Sequence, residues 1–137
     1  MPYGISFAQK LLDEGKFDEA VAAATTAIAR EPDDPEPLFE RATAYSNLDK
    51  YLEAAADYER ALQLDQQAGV LDNDVLDDAY FSALLGAARA EAVEDGVRRL
   101  QRYAQIFPEG RHLDDARDWQ KRLRGELPSQ FVKERLV

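Results

Sequence analysis

Along the first half of the chain, apolar residues return every three or four places, the spacing of one helical face. Phe7, Ala8, Leu11 and Leu12 make the first such face. Asp13-Glu14-Gly15-Lys16 interrupts it, with Gly15 suited to the left-handed conformation that follows a helix end. Asp18 and Glu19 open a second helix, where acids favour the helix dipole. It ends near Arg30, before Pro32 and Pro35, which lack the N–H that would continue it. The pattern then predicts helices from Glu36 to about Leu48 and from about Leu52 to Leu64.

The apolar side of these helices holds many of the smallest side chains. In DKYLEAAADYERALQLD (49–65), Ala54, Ala55, Ala56 and Ala61 sit between Tyr51, Leu52, Tyr58, Leu62 and Leu64. The arrangement recurs at a spacing of 34 residues. Ala8 falls on Ala42, Leu11 on Tyr45, Phe17 on Tyr51, Ala20 on Ala54 and Ala27 on Ala61. Two copies of one helix–turn–helix unit therefore stand in succession.

This period and these residues resemble the tetratricopeptide repeat. In the second copy Tyr45, Ala54, Tyr58 and Ala61 fit its signature, while Leu38 stands for Trp, Arg41-Ala42 for Leu-Gly and Gln66 for Pro. In the first copy Ala8, Ala20, Ala27 and Pro32 fit, and Ala24 is smaller than the usual aromatic. The resemblance implies an all-α fold, an α-solenoid of about three helix pairs plus a C-terminal capping helix. Alanines at Ala42, Ala54 and Ala61 would let paired helices cross closely, and Tyr45, Tyr51 and Tyr58 would fill the larger holes.

The third copy is displaced. EDGVRRLQRYAQIFPEG (94–110) is similar to a second repeat helix ending at Pro108, but Gly96 meets Ala54 only at a shift of 42. The eight extra residues are expected in QQAGVLDNDVL (66–76), with a partner helix over about Asp74 to Ala90. Reading Leu85-Gly86 as the family's Leu-Gly would instead shorten the next turn by two residues. A seventh helix is expected over about Leu113 to Arg124, with Trp119 sealing the last pair. YAQIFPEGRHLDDARDWQKRL is also similar to repeat-like helices of bacterial envelope-assembly proteins. The expected organisation is a repeat domain over 1–124, with repeats at about 2–34, 35–68 and 74–108 and a cap at 111–124. A tail follows over 125–137, in which Ser129 is a candidate N-cap and Phe131, Val132 and Leu136 form a short apolar edge.

Composition narrows the function. The chain has 137 residues, 45% hydrophobic and 32% charged, which suits one packed domain. With no Cys and one His, His112, neither a disulfide framework, a thiol nucleophile nor a His/Cys metal centre is expected. Asp72-Asn73-Asp74 and Asp77-Asp78 lack the Gly and distal Glu of a calcium loop, and acids in a helix's first turn account for them. No phosphate loop or G-x-S-x-G elbow is present, so neither a catalytic activity nor a cofactor is expected. No apolar run approaches the ~20 residues of a membrane span. MPYGISFAQK lacks the basic start and apolar stretch of a secretory signal, so a cytoplasmic protein is the expectation. The net charge is −10, from 27 acidic and 17 basic residues. The acids dominate residues 1–96 and the bases residues 97–137. An acidic body argues against a nucleic-acid partner.

In the resembled family the first helix of each pair lines a concave surface that binds protein segments. Matched by register, that surface takes Ile5, Gln9, Leu12 and Asp13 from the first pair and Phe39, Thr43, Ser46 and Asn47 from the second. The third pair gives Phe81, Leu85, Ala88 and Arg89. The expectation is an adaptor or scaffold that binds a peptide or helix of another protein. Its rival is a self-assembling homo-oligomer, in which the acidic body of one copy meets the basic end of the next.

Overall fold

The computed structural model describes residues 5–126. Ser129, Phe131, Val132 and Leu136, the expected edge of the tail, lie outside the described residues. Within them the regular elements are seven helices: α1 (Phe7–Asp13), α2 (Phe17–Arg30), α3 (Pro35–Asn47), α4 (Tyr51–Ala68), α5 (Asn73–Ala90), α6 (Val93–Ile106) and α7 (Leu113–Leu123). Each packs on the next along the chain, and α1 touches α3 as α3 touches α5. The molecule is an all-α solenoid, with the odd-numbered helices of the pairs along one side.

Local chemistry sets the ends of these helices. Ser6, Asp34 and Asp72 are N-caps, each with a side-chain oxygen accepting from a backbone N–H of the first turn. Gly15 and Asp49, 34 residues apart, both take positive φ in the turns after α1 and α3. The aspartate tolerates that conformation, and its carboxylate accepts from the Tyr51 hydroxyl at 2.8 Å.

The small residues lie where the helices approach. Ala20, Ala42, Ala54 and Ala61 are fully buried, and Tyr58 is buried between them. A Cβ on Gly96 of α6 would stand 2.6 Å from the Ala88 carbonyl of α5, so these backbones nearly touch. A Cβ on Gly86 would meet the Tyr51 ring at 2.7 Å. Gly86 thus serves the approach of α5 to the preceding pair. The turn between α5 and α6 is two residues, Glu91 and Ala92, against three in the earlier pairs.

The apolar interior divides into two clusters. The larger joins α3, α4, α5, α6 and α7 through Tyr58, Leu76, Tyr80, Phe81, Leu84, Leu100 and Tyr103. The smaller joins the first pair to α3 through Leu11, Ala20 and Ala44.

Two sequence expectations are corrected. First, α4 does not stop at Leu64 but continues one more turn to Ala68 and ends on Gly69 at φ 64°. Much of the extra length before the third pair is therefore helix. Buried Asp65 steadies this exit, its Oδ1 accepting from the N–H groups of Val70 (2.7 Å) and Leu71 (3.0 Å). Second, Asp77 is not a solvated helix-start acid. It is buried, accepting from the Tyr103 hydroxyl and from the Arg111 N–H at 2.9 Å.

Candidate functional site

The exposed side of α3 carries the middle of the expected surface. Phe39 is half-buried, its ring edge-on to Tyr58 at 5.4 Å between centroids. The Thr43 hydroxyl donates to the Phe39 carbonyl (2.9 Å) and lies 3.2 Å from the Tyr58 hydroxyl. Ser46 is half-buried. Asn47 is exposed, and its Nδ2 donates to the Thr43 carbonyl at 2.9 Å. The oxygen of a side-chain amide is an acceptor.

The neighbouring helices extend this side unequally. On α1, Gln9 and Leu12 are half-buried, and Gln9 Nε2 donates to Asp13 at 2.9 Å. Ile5 is 72% exposed. Ile5, Gln9, Phe39 and Leu71 stand in the wall of a groove of about 1310 Å3 at the start of α1 and α3. On α5, Leu85 is half-buried and Arg89 exposed.

Two of the expected positions are interior. Phe81 is only 8% exposed and stacks on the His112 ring, with centroids 4.6 Å apart and planes at 3°. Ala88 is fully buried against Gly96. Both belong to helix packing: α6 covers Ala88, and His112 in the chain after α6 covers Phe81.

Sequence reasoning did not find what holds this stretch. Tyr103 is fully buried, and its hydroxyl donates to Asp77 while accepting from the His112 N–H at 3.0 Å. Burial, together with the carboxylate beside it, pushes the Tyr103 phenol well above the usual tyrosine range. His112 Nε2 lies 2.6 Å from Asp78 Oδ1. His112 and Asp78 stand 34 residues apart, one repeat period, but Tyr103 and Asp77 stand 26 apart, off that period.

Arg41 ties three helices together. Its guanidinium grips Asp57 in two-point fashion at 2.7 and 2.9 Å and donates to Thr25 of the preceding pair at 3.2 Å. The hydrogen bond to Asp57 raises its already high pKa. Trp119 on α7 is half-buried, with the Arg89 guanidinium 5.1 Å and the Arg122 guanidinium 5.0 Å from its ring centroid.

A second groove, about 850 Å3, runs between α4 and α6 and includes Leu52, Ala56, Arg98 and Arg102. Three of its arginines are paired: Arg102 with Glu59 at 2.7 Å, Arg99 with Glu91 at 3.3 Å, and Arg98 with Asp95.

Helix pairs stacked with small residues at the crossings and one long side left open define an α-solenoid of stacked helical hairpins. Residues 35–68 match the family model of the tetratricopeptide repeat. The chain carries this repeat and has the fold of a tetratricopeptide-repeat domain. Among solved structures it is similar to the second TPR domain of human RPAP3, determined by NMR in complex with the HSP70 peptide SGPTIEEVD. The TM-score is 0.55 at 19% identity, over 85% of this chain and 88% of that one. No curated protein matches this sequence. Among the described residues, no helix is long and apolar enough to cross a membrane.

Proposed function

We propose that the protein is an interaction adaptor that takes an extended peptide or a helix of another protein along the concave side made by α1, α3 and α5. The observation that carries this reading is the open side of α3. There Phe39 offers an apolar surface already held by Tyr58, and Asn47 offers an exposed amide pinned to the Thr43 carbonyl. A held aromatic and a held amide cost little to order on binding. The similar RPAP3 domain binds a peptide, which supports the same use of this fold.

The experiment is capture of partners from the native cell, with the protein compared to a Gln9→Ala, Asn47→Ala double variant. Asn47 is exposed and Gln9 half-buried, and circular dichroism checks the fold of the variant. Loss of a captured protein supports the reading. Retention of every partner would remove α1 and α3 from the binding surface.

A further inference from the structure

We propose that the groove at the start of α1 and α3 docks a cationic amphipathic segment of another protein, one with bulky apolar residues set between lysines or arginines. The inference deepens the peptide-binding reading and rests on it for the class of partner.

Three observations carry it. The first is exposed apolar surface. Ile5 and Phe7, at 72% and 69%, are the most exposed large apolar side chains among the described residues. Both stand in the wall of this groove, with Phe39 and Leu71. Its volume of about 1310 Å3 suits a chain segment better than a small molecule, whose pockets run to ~1,000 Å3. The second is charge. Glu31, Asp34, Glu36 and Glu40 share the wall with one base, Arg30. Asp57, Glu59 and Glu91 each hold an arginine of the chain itself. Among the described residues, none of the four groove carboxylates has an ion-pair partner. The third is position. Asp34 caps α3 and Glu36 lies in its first turn, so helix-start chemistry accounts for those two. It does not account for the others. Glu31 closes α2, the end at which the helix dipole disfavours an acid. Glu40 lies beyond the first turn of α3 and is half-buried. Burial raises its pKa, and the charges of Glu36 and Asp34 raise it further, against the lowering effect of the Ser6 hydroxyl.

The chemistry of the occupant follows from this wall. Cations placed among the carboxylates relieve their mutual repulsion, and apolar side chains cover Ile5 and Phe7. A bare metal ion would leave the apolar half unused. An anionic membrane or a nucleic acid is the poorer fit, because the net charge of −10 repels both. A segment that carries both features satisfies both halves. The exposed charges set its approach and orientation, and the apolar contacts supply most of its affinity.

The probe is the peptide KLKFKLK, acetylated and amidated so that only its side chains carry charge, titrated into the full chain by calorimetry. Saturable binding is expected. The double variant Glu36→Gln, Glu40→Gln should weaken it by about fivefold, as the loss of two partly exposed charge contacts. The double variant Ile5→Ser, Phe7→Ser should weaken it by a similar factor through the apolar half. Glu94→Gln with Glu109→Gln removes two exposed acids far along the chain and should leave affinity unchanged. Circular dichroism checks the fold of each variant. Ile5 and Phe7 are largely exposed, so their variant carries the test if the glutamine variant loses helicity.

The peptide ELEFELE, with its charges reversed, should be silent. Several results overturn the proposal. One is no saturable binding, and another is equal affinity in the folded groove variants. Equal affinity for KGKGKGK would reduce the contact to charge alone. An equal loss from the Glu94 and Glu109 variant would reduce it to net charge. A dimer that the peptide takes apart would assign the groove to a second copy of the chain. The peptide result also stands apart from the capture experiment. Should KLKFKLK fail while the Gln9 and Asn47 variant still loses a captured protein, the adaptor reading holds and only the cationic partner falls. Should the peptide bind as described while that variant loses nothing, the groove holds and the rest of the concave side falls.

Discussion

The buried hydroxyl of Tyr103 ties separated parts of the chain together. It joins Asp77 of α5 to the backbone of His112 in front of α7, so one phenol holds three parts of the chain. Tyr103→Phe leaves a buried carboxylate oxygen and an N–H without their partner. The expected cost is about 1–3 kcal/mol, read from denaturant unfolding against the wild type. The reach of sequence reasoning is clear at this scale. Arg41 was legible as a register position, next to the small residue of a repeat. Asp77 was not, because its role depends on a tyrosine 26 residues away.

Glu59 supplies a pH signature. Burial pushes its carboxyl up, but the hydrogen bonds from Arg102 (2.7 Å) and Tyr80 (2.5 Å) outweigh burial and hold it below the ordinary glutamate value. A depressed folded value means the carboxylate stabilises the fold above the unfolded value. That contribution drains away as pH falls through the folded value. Glu40 runs the other way, since burial raises it despite the Ser6 hydroxyl bond at 2.6 Å. Thermal melts between about pH 3 and pH 7 should show a smaller acid-side decline for Glu59→Gln than for the wild type. An unchanged decline would mean that Glu59 carries none of it.

At the scale of the helix, small side chains set how closely neighbours pack. The alanine positions were readable from the 34-residue return, and Ala54 is buried as that register requires. The third pair was harder, because α4 runs on to Ala68 and displaces everything after it. Nothing in Leu64 to Ala68 signals a stop, and Gly69 is the first residue that favours one. The glycines of this pair then divide the work, Gly86 yielding to Tyr51 and Gly96 to the Ala88 backbone. A backbone oxygen cannot swing aside as a side-chain end can. Gly96→Ala should therefore cost about 1–3 kcal/mol by overpacking, measured as a lowered unfolding midpoint. A neutral result would place α5 and α6 farther apart.

For the molecule as a whole, the uneven charge of the sequence suggested assembly of acidic bodies on basic ends. Much of the basic end is compensated within the chain, through pairs such as Arg102–Glu59, Arg111–Asp78 and Arg117–Asp114. Light scattering should give one monomer mass at both low and high salt. A mass that falls as salt rises would restore the assembly reading. Of the positions expected from register, Gln9, Thr43, Ser46 and Asn47 of α1 and α3 keep some exposure. In α5, His112 of the chain after α6 covers Phe81.

The division of the interior into a large and a small cluster has a mechanical outcome. The opening hairpin is fastened to the rest through the smaller cluster around Leu11, Ala20 and Ala44, the reach of Arg41 to Thr25 and the bond from Ser6 to Glu40. Its amide protons should exchange with heavy water sooner than those of α5 and α6. A bound segment lying across α1 and α3 would act as a clasp, and the slowing of that exchange would record its grip.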